Sequence, residues 1–431
     1  METPSQKPVA SVQETVAIKP RGFDPKRPAT VFLSYKRQNA DEVAILEREL
    51  KLRGVKPWRD VADLQKGRPV KEDITDAIAH QTDALLIYLT PESLDSSFIW
   101  EVEIPAALER HEQDHSFSII PVLRGVTASE VQRLCASHGL RSLKDFNFDT
   151  LPDPQVDQAA FNEKCRKVAN QVLKAALQLR LRRMQADDDY EPSICLHTFK
   201  DRPSPPYLDL DLNWYDLFLD RDRLPSQVEW QGTLLPALLD MKDALGELRT
   251  SRRLHISLQS ILPAAFALGS TFPATTSFTL LPWNKETEEE WSSTGAISLS
   301  DPLRRLSYNN EEGDPHVAIV EIAVAQLTAP AVSKTLPLLD LSYRHHLQFR
   351  LPEGLDYGKG VKDASHGRAI AHQIGKELRS LSGKGVSQIH LFAAIPAALA
   401  VLIGHQLNTI CPVTFYEYSR ADGIYKLAYT L

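Results

Sequence analysis

Residues 84–104 read ALLIYLTPESLDSSFIWEVEI, an apolar run followed by a polar turn and a helical pattern. Ala84–Leu89 has the length and composition of a buried strand. Ser96 or Ser97 can cap the helix that carries Glu103. A carboxylate just beyond the carboxyl end of a strand lies where open α/β sheets place their ligands. From this stretch alone, an ordinary first-turn glutamate that complements the helix dipole explains Glu103 as well.

The composition is that of a globular protein with two or three domains: 431 residues, 43% apolar and 24% charged. The net charge of −7 gives no support for a DNA partner. Four scattered cysteines without a C-x-x-C pair predict neither disulfides nor a metal site, and fit a reducing cytoplasm. We expect no export signal and no membrane span, because no apolar stretch approaches roughly 18 residues. Residues 1–28 are polar and contain several prolines, which predicts a flexible leader.

Strands and helices alternate through residues 29–178, the predicted first domain. Besides Ala84–Leu89, strands are predicted at Val31–Tyr35, Val55–Trp58 and Phe117–Leu123. Apolar residues at helical spacing fill the intervals between them. Such alternation predicts an α/β fold with a mostly parallel sheet that is covered on both faces.

Three boxes in this order resemble the TIR domain family: Phe32–Tyr35, Gly54–Asp60 with the loop that follows, and Ser96–Ala107. The resemblance implies a flavodoxin-like fold. Many bacterial TIR domains cleave NAD+ at the nicotinamide–ribose bond with a glutamate in a Ser-x-aromatic-x-x-x-Glu pattern. Aligned on this pattern, the catalytic position falls on Glu103 and the aromatic position on Ile99.

The departure at Ile99 leaves two candidates for the catalytic residue, Glu103 and Glu101, which point in different directions on a helix. Glu103 is preferred, because Ile104 and Ala107 then match the apolar spacing of the family. A carboxylate suits the reaction, since breaking the glycosidic bond builds positive charge on the ribose and a carboxylate stabilises it. Nicotinamide leaves as a neutral molecule, so no general acid is needed.

A group of substrate-contacting residues is predicted around Glu103. Aromatic side chains are expected to pack against the nicotinamide ring, and cations to meet the pyrophosphate. For each aromatic residue a place in the core is the alternative, and for each cation a solvated surface. The predicted NAD+ contacts are Ser34, Tyr35, Lys36, Trp58, Asp60, Ser96 and Trp100.

A helical pattern between Ala159 and Met184 ends in arginines and is followed by Asp187–Asp189. The basic end suits the negative pole of a helix, and the acidic run suits a short solvated linker. We therefore predict a linker at residues 179–189 and a second domain over residues 190–431.

The second domain contains an internal repeat. Segments that begin at Leu254–Leu258 and Ile389–Ala393, 135 residues apart, align without gaps and bring Gly269 onto Gly404. Their shared pattern is a strand, a turn, a small-residue helix ended by glycine, then a strand. It predicts two Rossmann-like α/β halves with pseudo-two-fold symmetry, whose strand-to-helix loops face a shared cleft. The alternative is that alanine-rich helices merely pack tightly on the sheet.

Leu254–Gly269 and Ile389–Gly404, the latter closing with Val413–Tyr418, resemble the SAVED domain. SAVED domains look like fused pairs of CARF-type sensors and bind cyclic oligonucleotides. A TIR domain joined to a SAVED domain resembles the TIR-SAVED effectors of CBASS, a bacterial antiphage system. A ring of phosphodiesters needs cations, backbone amides and stacking aromatics. The predicted ligand contacts are Ser257, Gln259, Ser260, Trp283, Ala393, Ala394, Lys200, His366, Arg368 and Arg420.

The leading hypothesis is a cyclic-oligonucleotide-activated NAD+ glycohydrolase that depletes NAD+ in abortive infection. A cyclic tri-adenylate is one candidate activator. Self-assembly into an oligomer or filament is expected through both domains, with the loop Arg59–Pro69 completing the active site of a neighbour. NAD+ is then a substrate, and no cofactor, metal, DNA or membrane partner is predicted. Two alternatives stay open: a TIR scaffold that recruits partners without chemistry, and a second domain that cleaves its own nucleotide ligand.

Overall fold

The structure, a computed structural model, describes residues 27–59, 69–184, 187–200, 207–297, 301–357 and 359–431. The predicted leader, apart from Arg27 and Pro28, lies outside these residues, and so does Asp60 of the predicted site. In the part of the chain that the structure describes, no helix is long and apolar enough to cross a membrane.

Every strand of the first sheet runs parallel to its neighbours, in the order β2-β1-β3-β4-β5. The strands are β1 (Thr30–Tyr35), β2 (Lys56–Trp58), β3 (Ala84–Leu89), β4 (Ser118–Leu123) and β5 (Asp149–Thr150). The helices are α1 (Ala40–Leu52), α2 (Val70–Asp76), α3 (Ile104–Gln113), α4 (Ala128–Ser137) and α5 (Gln158–Arg183).

The two faces of this sheet belong to different apolar clusters. Leu33 and Leu86 pack with α1 and α5 on one face, whereas Phe32 and Leu85 pack with α2 and α3 on the other. Successive residues of a strand point to opposite faces, so a continuous apolar run buries both. The predicted parallel sheet and its flavodoxin-like strand order are confirmed.

Two further sheets form the second half of the chain, in the orders β10-β9-β8-β6-β7 and β11-β13-β12-β14-β15-β16. Their inner strands are parallel, and β10, β11 and β16 add antiparallel edges. The strands are β6 (Ser193–His197), β7 (Leu210–Asn213), β8 (Arg253–Gln259), β9 (Thr279–Asn284), β10 (Glu289–Glu290), β11 (Arg304–Asn309), β12 (Val317–Ala323), β13 (His345–Arg350), β14 (Gln388–Ala394), β15 (Val413–Ser419) and β16 (Ile424–Thr430). The helices are α6 (Tyr215–Phe218), α7 (Gln227–Glu229), α8 (Leu235–Glu247), α9 (Leu262–Thr271), α10 (Ala329–Thr335), α11 (Ala364–Gly383) and α12 (Ala397–His405).

Helices α9 and α12 pack against each other through the two glycines of the sequence repeat. A Cβ atom on Gly269 would lie 2.1 Å from the carbonyl oxygen of Val401. A Cβ atom on Gly404 would lie 2.4 Å from the carbonyl oxygen of Phe266. Phe266 and Val401 are themselves 135 residues apart, so the two contacts are exchanged by the repeat. The prediction of two Rossmann-like halves is confirmed, and the glycines bring the helices of the two halves together.

Helix α5 contacts both halves of the chain. It runs through residues 179–183 without interruption, so the first part of the predicted linker is its last turn and a half. Arg180 Nε donates to Asp209 of the second half at 2.9 Å, and Arg183 Nη1 donates to Asp83 of the first at 3.2 Å. The domain bounds 29–178 and 190–431 stay predictions, but α5 links the two regions as one rigid rod.

One buried apolar cluster extends from the first sheet into the second. Two backbone hydrogen bonds of 2.8 Å accompany it, from Ala29 N–H to the Asp209 carbonyl and from Asp211 N–H to the Gly54 carbonyl. Because buried backbone groups must be paired, these bonds fix the edge of one sheet on the other. The two halves are therefore joined by core and backbone contacts.

Gly54 lies directly against the second half of the chain. Its φ is +88°, and a Cβ atom there would lie 2.7 Å from Leu210 Cβ. The neighbouring Arg53 is fully buried and donates to Asp240 at 2.7 Å. We call this contact region the seam; it comprises Ala29, Arg53, Gly54, Asp209–Asp211 and Asp240.

Candidate functional site

A wide helical turn carries Glu103. Ile99–Glu103 forms a π-helical turn, and the first amide of α3 reaches back to the carbonyl of Ile99. Pro105 accounts for the widening, because its nitrogen has no hydrogen to donate to the carbonyl of Glu101. The turn buries Glu103, which is 8% exposed, and leaves Glu101 exposed.

Ser34 holds the Glu103 carboxylate. Ser34 is the penultimate residue of β1, and its Oγ donates to Glu103 Oε2 at 2.5 Å. The strand order reverses between β1 and β3, and doubly wound sheets bind ligands at the carboxyl ends of the strands on either side of that point. The structure thus brings two of the predicted residues together and shows that Glu103, rather than Glu101, faces the sheet.

Tyr35, the last residue of β1, is held by Arg59. The Arg59 Nη2 and Nε atoms donate to the Tyr35 hydroxyl at 2.5 and 3.1 Å, and its Nη1 donates to Glu47 at 2.5 Å. Burial lowers the pKa of Arg59, but the hydrogen bond to Tyr35 and the charge of Glu47 outweigh it and leave that pKa raised. Arg59 was not among the predicted contacts, because an arginine at the end of a strand gives no sign of its partner.

Two of the predicted aromatic contacts lie in the core. Trp58 is 5% exposed and stacks on Phe32 with ring centroids 4.7 Å apart. Trp100 is 1% exposed, and its indole N–H donates to the carbonyl of Ser93 at 3.1 Å. The structure therefore corrects their assignment as stacking partners of nicotinamide, since both rings are enclosed by apolar neighbours.

Other predicted NAD+ contacts lie close to these residues along the chain. Lys36 follows β1 directly and is half-buried. Ser96 is buried, and its carbonyl accepts a hydrogen bond from the Trp100 amide at 3.2 Å, which begins the helical turn. Their contact with substrate stays a prediction.

Two adjoining cavities, of about 310 and 520 Å³, lie at the carboxyl ends of strands in the second half. Both are lined by Arg221, Glu417, Tyr418 and Arg420, and we call the pair the strand-end cavity. Open α/β folds bind ligands at this edge of the sheet. Its size is that of a small-molecule site.

Four of the predicted ligand contacts line the strand-end cavity. Ser260 follows β8, Ala393 and Ala394 end β14, and Arg420 follows β15. The two strand-to-helix loops of the repeat therefore meet at one cavity, as their shared pattern predicts.

Two of the predicted cations and one predicted aromatic residue lie elsewhere. Arg368 donates to the carbonyl of Ser292 at 3.0 Å and lines a separate cavity of about 70 Å³. His366 lies in the first turn of α11 and is 7% exposed. Trp283 is 43% exposed on β9, where it pairs with Glu290 of the edge strand β10. These three positions lie on elements that do not line the strand-end cavity, and their contact with a ligand stays a prediction.

Three more predicted contacts lie beside the cavity rather than in its described wall. Gln259 accepts a hydrogen bond from Lys285, and Ser257 lies two residues earlier on β8. Lys200 is exposed, and its backbone amide donates to Asp220 at 2.7 Å. Their contact with a ligand stays a prediction.

Arg221 and Glu417 line the cavity and were not predicted. Arg221 Nε lies 3.0 Å from Glu417 Oε1, and its guanidinium lies 4.8 Å from the ring centre of Phe199. One signal was present in the sequence: Glu417 is the one charged residue of β15, between two tyrosines. Arg221 gave no signal, because it reaches the cavity from a loop distant in the chain.

Burial raises the pKa of Glu417 to about 7. The charge of Arg221, the backbone amide of Leu262 and the charge of Arg420 each act in the opposite direction, but burial outweighs them. The cavity thus contains a carboxyl group that changes charge near neutral pH.

Family models match the chain at both of these sites. Residues 31–164 match the TIR domain, and residues 238–431 match SAVED, the "SMODS-associated and fused to various effectors sensor domain". The chain has a TIR–SAVED architecture. The TIR match contains Ser34 and Glu103, and the SAVED match contains Ser260 and Glu417.

Solved structures similar to the TIR–SAVED chain include two Cap4 SAVED/CARF-domain containing receptors. The receptor of Acinetobacter baumannii with the cyclic trinucleotide 3′3′3′-cAAA is 18% identical, with a TM-score of 0.48 over 80% of this chain and 88% of that one. The receptor of Moraxella osloensis is 15% identical, with a TM-score of 0.40 over 92% and 100%. A TIR-STING receptor from C. gigas in complex with 2′,3′-cGAMP is 11% identical, with a TM-score of 0.25 over 53% and 89%. No curated protein matches the chain at a significant level.

Proposed function

We propose that this TIR–SAVED protein is an NAD+ glycohydrolase that a cyclic oligonucleotide switches on, and that it depletes NAD+ in CBASS-type antiphage defence. The observation that carries the proposal is the Glu103 carboxylate, buried in a TIR domain and held by Ser34 at the ligand-binding edge of the sheet. NAD+ is the substrate, and no further cofactor is proposed. Since NAD+ and cyclic oligonucleotides are both cytoplasmic in bacteria, we place the activity there.

In the proposed reaction, the bond between the nicotinamide nitrogen and the ribose breaks and its electron pair goes to nicotinamide, which leaves neutral. The ribose gains oxocarbenium-like positive charge, and the Glu103 carboxylate stabilises that charge at short range. Water then bonds to the same carbon and releases a proton. The products are ADP-ribose, nicotinamide and one proton. Because nicotinamide leaves as a neutral molecule, no general acid is needed and a single carboxylate suffices.

The strand-end cavity is the proposed ligand site. Arg221 and Arg420 supply positive charge, and the amino end of α9 at Leu262 supplies a backbone amide. Phosphodiesters need such groups. A cyclic tri-adenylate is the first ligand that we propose to test.

Activation is proposed to occur through assembly. Ligand binding exposes contacts on the SAVED domain, TIR domains line up, and residues 59–69 of one subunit complete the site of its neighbour. Support for this step comes from the TIR resemblance. Residues 60–68 lie outside the part of the chain that the structure describes.

Nicotinamide release by the purified full-length protein, with and without cyclic di-, tri- and tetra-adenylates, tests the proposal. We expect release only with a ligand, together with an increase in particle size in light scattering. Ligand-dependent assembly with intact NAD+ would contradict the enzymatic proposal.

A TIR scaffold without chemistry is the second candidate. The observation that favours it is Ile99, which stands at the aromatic position of the catalytic pattern and is buried with Trp100 in the core. The helical turn of Glu103 therefore offers no tryptophan to a nicotinamide ring. The assay above separates the two candidates.

A further inference from the structure

An anion already occupies the positively charged part of the strand-end cavity. The Glu417 carboxylate lies 3.0 Å from Arg221 Nε, and the backbone amide of Leu262, at the start of α9, hydrogen bonds to it. Glu417 is 5% exposed, whereas the Arg221 side chain is 38% exposed, so the carboxylate is enclosed and the guanidinium reaches solvent. A guanidinium and a helix-terminal amide are the groups that a phosphodiester oxygen prefers.

The loop that delivers Arg221 is conformationally strained. Leu219, Asp220 and Arg221 all have positive φ, of 45°, 56° and 82°. Side chains other than glycine rarely adopt this region, and three in succession persist only where surrounding contacts impose it. Such strain is concentrated at ligand-binding positions, which supports a functional role for Arg221.

The wall of the strand-end cavity also contains the hydroxyl group of Ser260. Among the described residues, the Ser260 Oγ atom is buried and has no hydrogen-bond partner, and Ser260 is 8% exposed. Buried polar groups are normally paired, so an unpaired hydroxyl in a cavity wall points to a ligand. Ser260 lies two residues before Leu262, on the same loop.

We propose that Glu417 is a built-in competitor for the activating ligand: its carboxylate holds the place of one ligand phosphate and gives it up by taking a proton. The inference rests on the proposed function of the cavity as the cyclic-oligonucleotide site, and it adds regulation to that site. A phosphate beside Glu417 disfavours the charged carboxylate, so the carboxylate takes up a proton from solvent as the ligand binds. The Arg221 guanidinium then releases the neutral Glu417 carboxyl group and binds a phosphate of the ligand.

The charged and titratable groups near Glu417 come from several elements. Lys426 pairs with Glu417 across the β15–β16 ladder but is bound to Asp422 at 2.6 Å. Tyr425 of β16 interacts electrostatically with Glu417. Among the residues that the structure describes, the charged and titratable groups that line the cavity or act on Glu417 are Arg221, Arg420, Lys426, Asp220, Asp222, Tyr418 and Tyr425.

The direction of the pH dependence follows from the pKa of about 7 for Glu417. Below pH 7 the carboxyl group is neutral, and Arg221 is available to a phosphate. Above pH 7 the carboxyl group is ionised and competes with the ligand phosphate for Arg221. Ligand binding must then be accompanied by uptake of a proton at Glu417. At pH 8, one unit above the pKa, the proton linkage weakens ligand binding about tenfold, whereas at pH 6 it has almost no effect.

Isothermal titration of the full-length protein with cyclic di-, tri- and tetra-adenylates tests this inference at pH 6 and pH 8. We expect Glu417→Gln to bind about tenfold more tightly than the unchanged protein at pH 8 and equally at pH 6. In buffers of different ionisation enthalpy, the unchanged protein should take up close to one proton per ligand at pH 8. That second measurement needs no variant.

Asp222→Asn is the matched control, because Asp222 lines the same cavity and the change removes the same charge. It should alter affinity by the same factor at both pH values. Equal affinities of Glu417→Gln and the unchanged protein at pH 8, or absent proton uptake, would overturn the competitor role alone. Failure of every cyclic nucleotide to bind either protein would overturn the proposed sensing function and this inference with it.

Discussion

At the scale of single residues, the contact between Ser34 and Glu103 determines what the TIR site can do. A buried carboxylate is stabilised as an anion only by hydrogen bonds or positive charge. Ser34 donates one such bond at 2.5 Å and fixes the direction of the carboxylate. We regard Ser34 as a positioning residue for Glu103.

Ser34→Ala is expected to lower ligand-stimulated NAD+ cleavage about 10- to 100-fold, because a hydrogen bond to a charged group contributes roughly 1.5–3 kcal/mol. Nicotinamide release at saturating NAD+ measures the effect. Ser137→Ala, at an exposed position at the end of α4, should retain activity. Full activity of the Ser34→Ala variant would contradict the proposed role of Ser34 in positioning Glu103.

Glu103→Gln is expected to reduce cleavage by about 10²–10³ or more, since it removes the charge that stabilises the transition state. Binding of cyclic nucleotide, measured by titration, should not change. Glu101→Gln is the matched control, because Glu101 is exposed two residues away. If Glu101→Gln were the inactive variant, the orientation of the π-helical turn described above would be wrong.

Sequence patterns located Glu103 and Ser34 but not the orientation of the helix between Ile99 and Pro105. The family pattern counts residues as if the helix were regular. Pro105 interrupts α-helical pairing and widens the turn, so Trp100 enters the core while Glu103 meets the sheet. Backbone pairing of this kind depends on tertiary contacts that a local pattern does not contain.

At the scale of elements, widened turns recur before a proline in the second position of a helix. Ile99–Glu103 precedes α3 with Pro105, and Trp230–Leu234 precedes α8 with Pro236. In both, the first α-helical amide reaches back five residues. Helix α9 also has a proline, Pro263, in its second position but no helical turn before it, so the widening needs a helical turn on the amino side of the proline.

Gly404→Ala is expected to destabilise the protein by about 1–3 kcal/mol, because its Cβ atom would lie 2.4 Å from the Phe266 carbonyl oxygen and force α9 and α12 apart. Thermal unfolding followed by circular dichroism measures the shift. Gly383→Ala is the control, since nothing lies within 4 Å of a Cβ atom at that position of α11. It should be neutral or slightly stabilising. An unchanged midpoint for Gly404→Ala would mean that the helix pair can relax.

The repeat was predictable because its strands and small-residue helices retain their pattern at a constant offset. The strand-end cavity was only half predictable. Ser260, Ala393, Ala394 and Arg420 lie in or beside repeat elements, but Arg221 comes from an unrelated loop. A residue that reaches a cavity from a distant loop is not part of any periodic pattern in the sequence.

At the scale of the whole molecule, the seam makes the two halves one cooperative unit. The fully buried Arg53 binds both Glu49 of its own helical region and Asp240 of α8, each at 2.7 Å. Separation of the halves would expose an apolar cluster together with this charge. The sequence did not predict the seam, because its apolar residues have the same pattern as any other core.

A single unfolding transition is therefore expected in calorimetry, despite two domain matches. Gly54→Ala should lower its midpoint, because it adds left-handed strain of roughly 1–2 kcal/mol and places a Cβ atom 2.7 Å from Leu210 Cβ. Gly139 also has a positive φ, +63°, but nothing lies within 4 Å of a Cβ atom at that position. Gly139→Ala therefore measures the effect of the backbone strain alone. Two well-separated transitions in the unchanged protein would contradict the cooperative unit.

The family matches leave residues 165–237 between them. That stretch contains most of α5, the Asp209–Asp211 part of the seam, and Arg221 of the strand-end cavity. A chimera that exchanged the TIR domain at either match boundary would therefore leave a buried charge and a bare apolar face behind. Transplanting another effector onto this receptor would require residues 158–221 to stay with the receptor, and the incoming domain to supply a glycine in the place of Gly54 against Leu210.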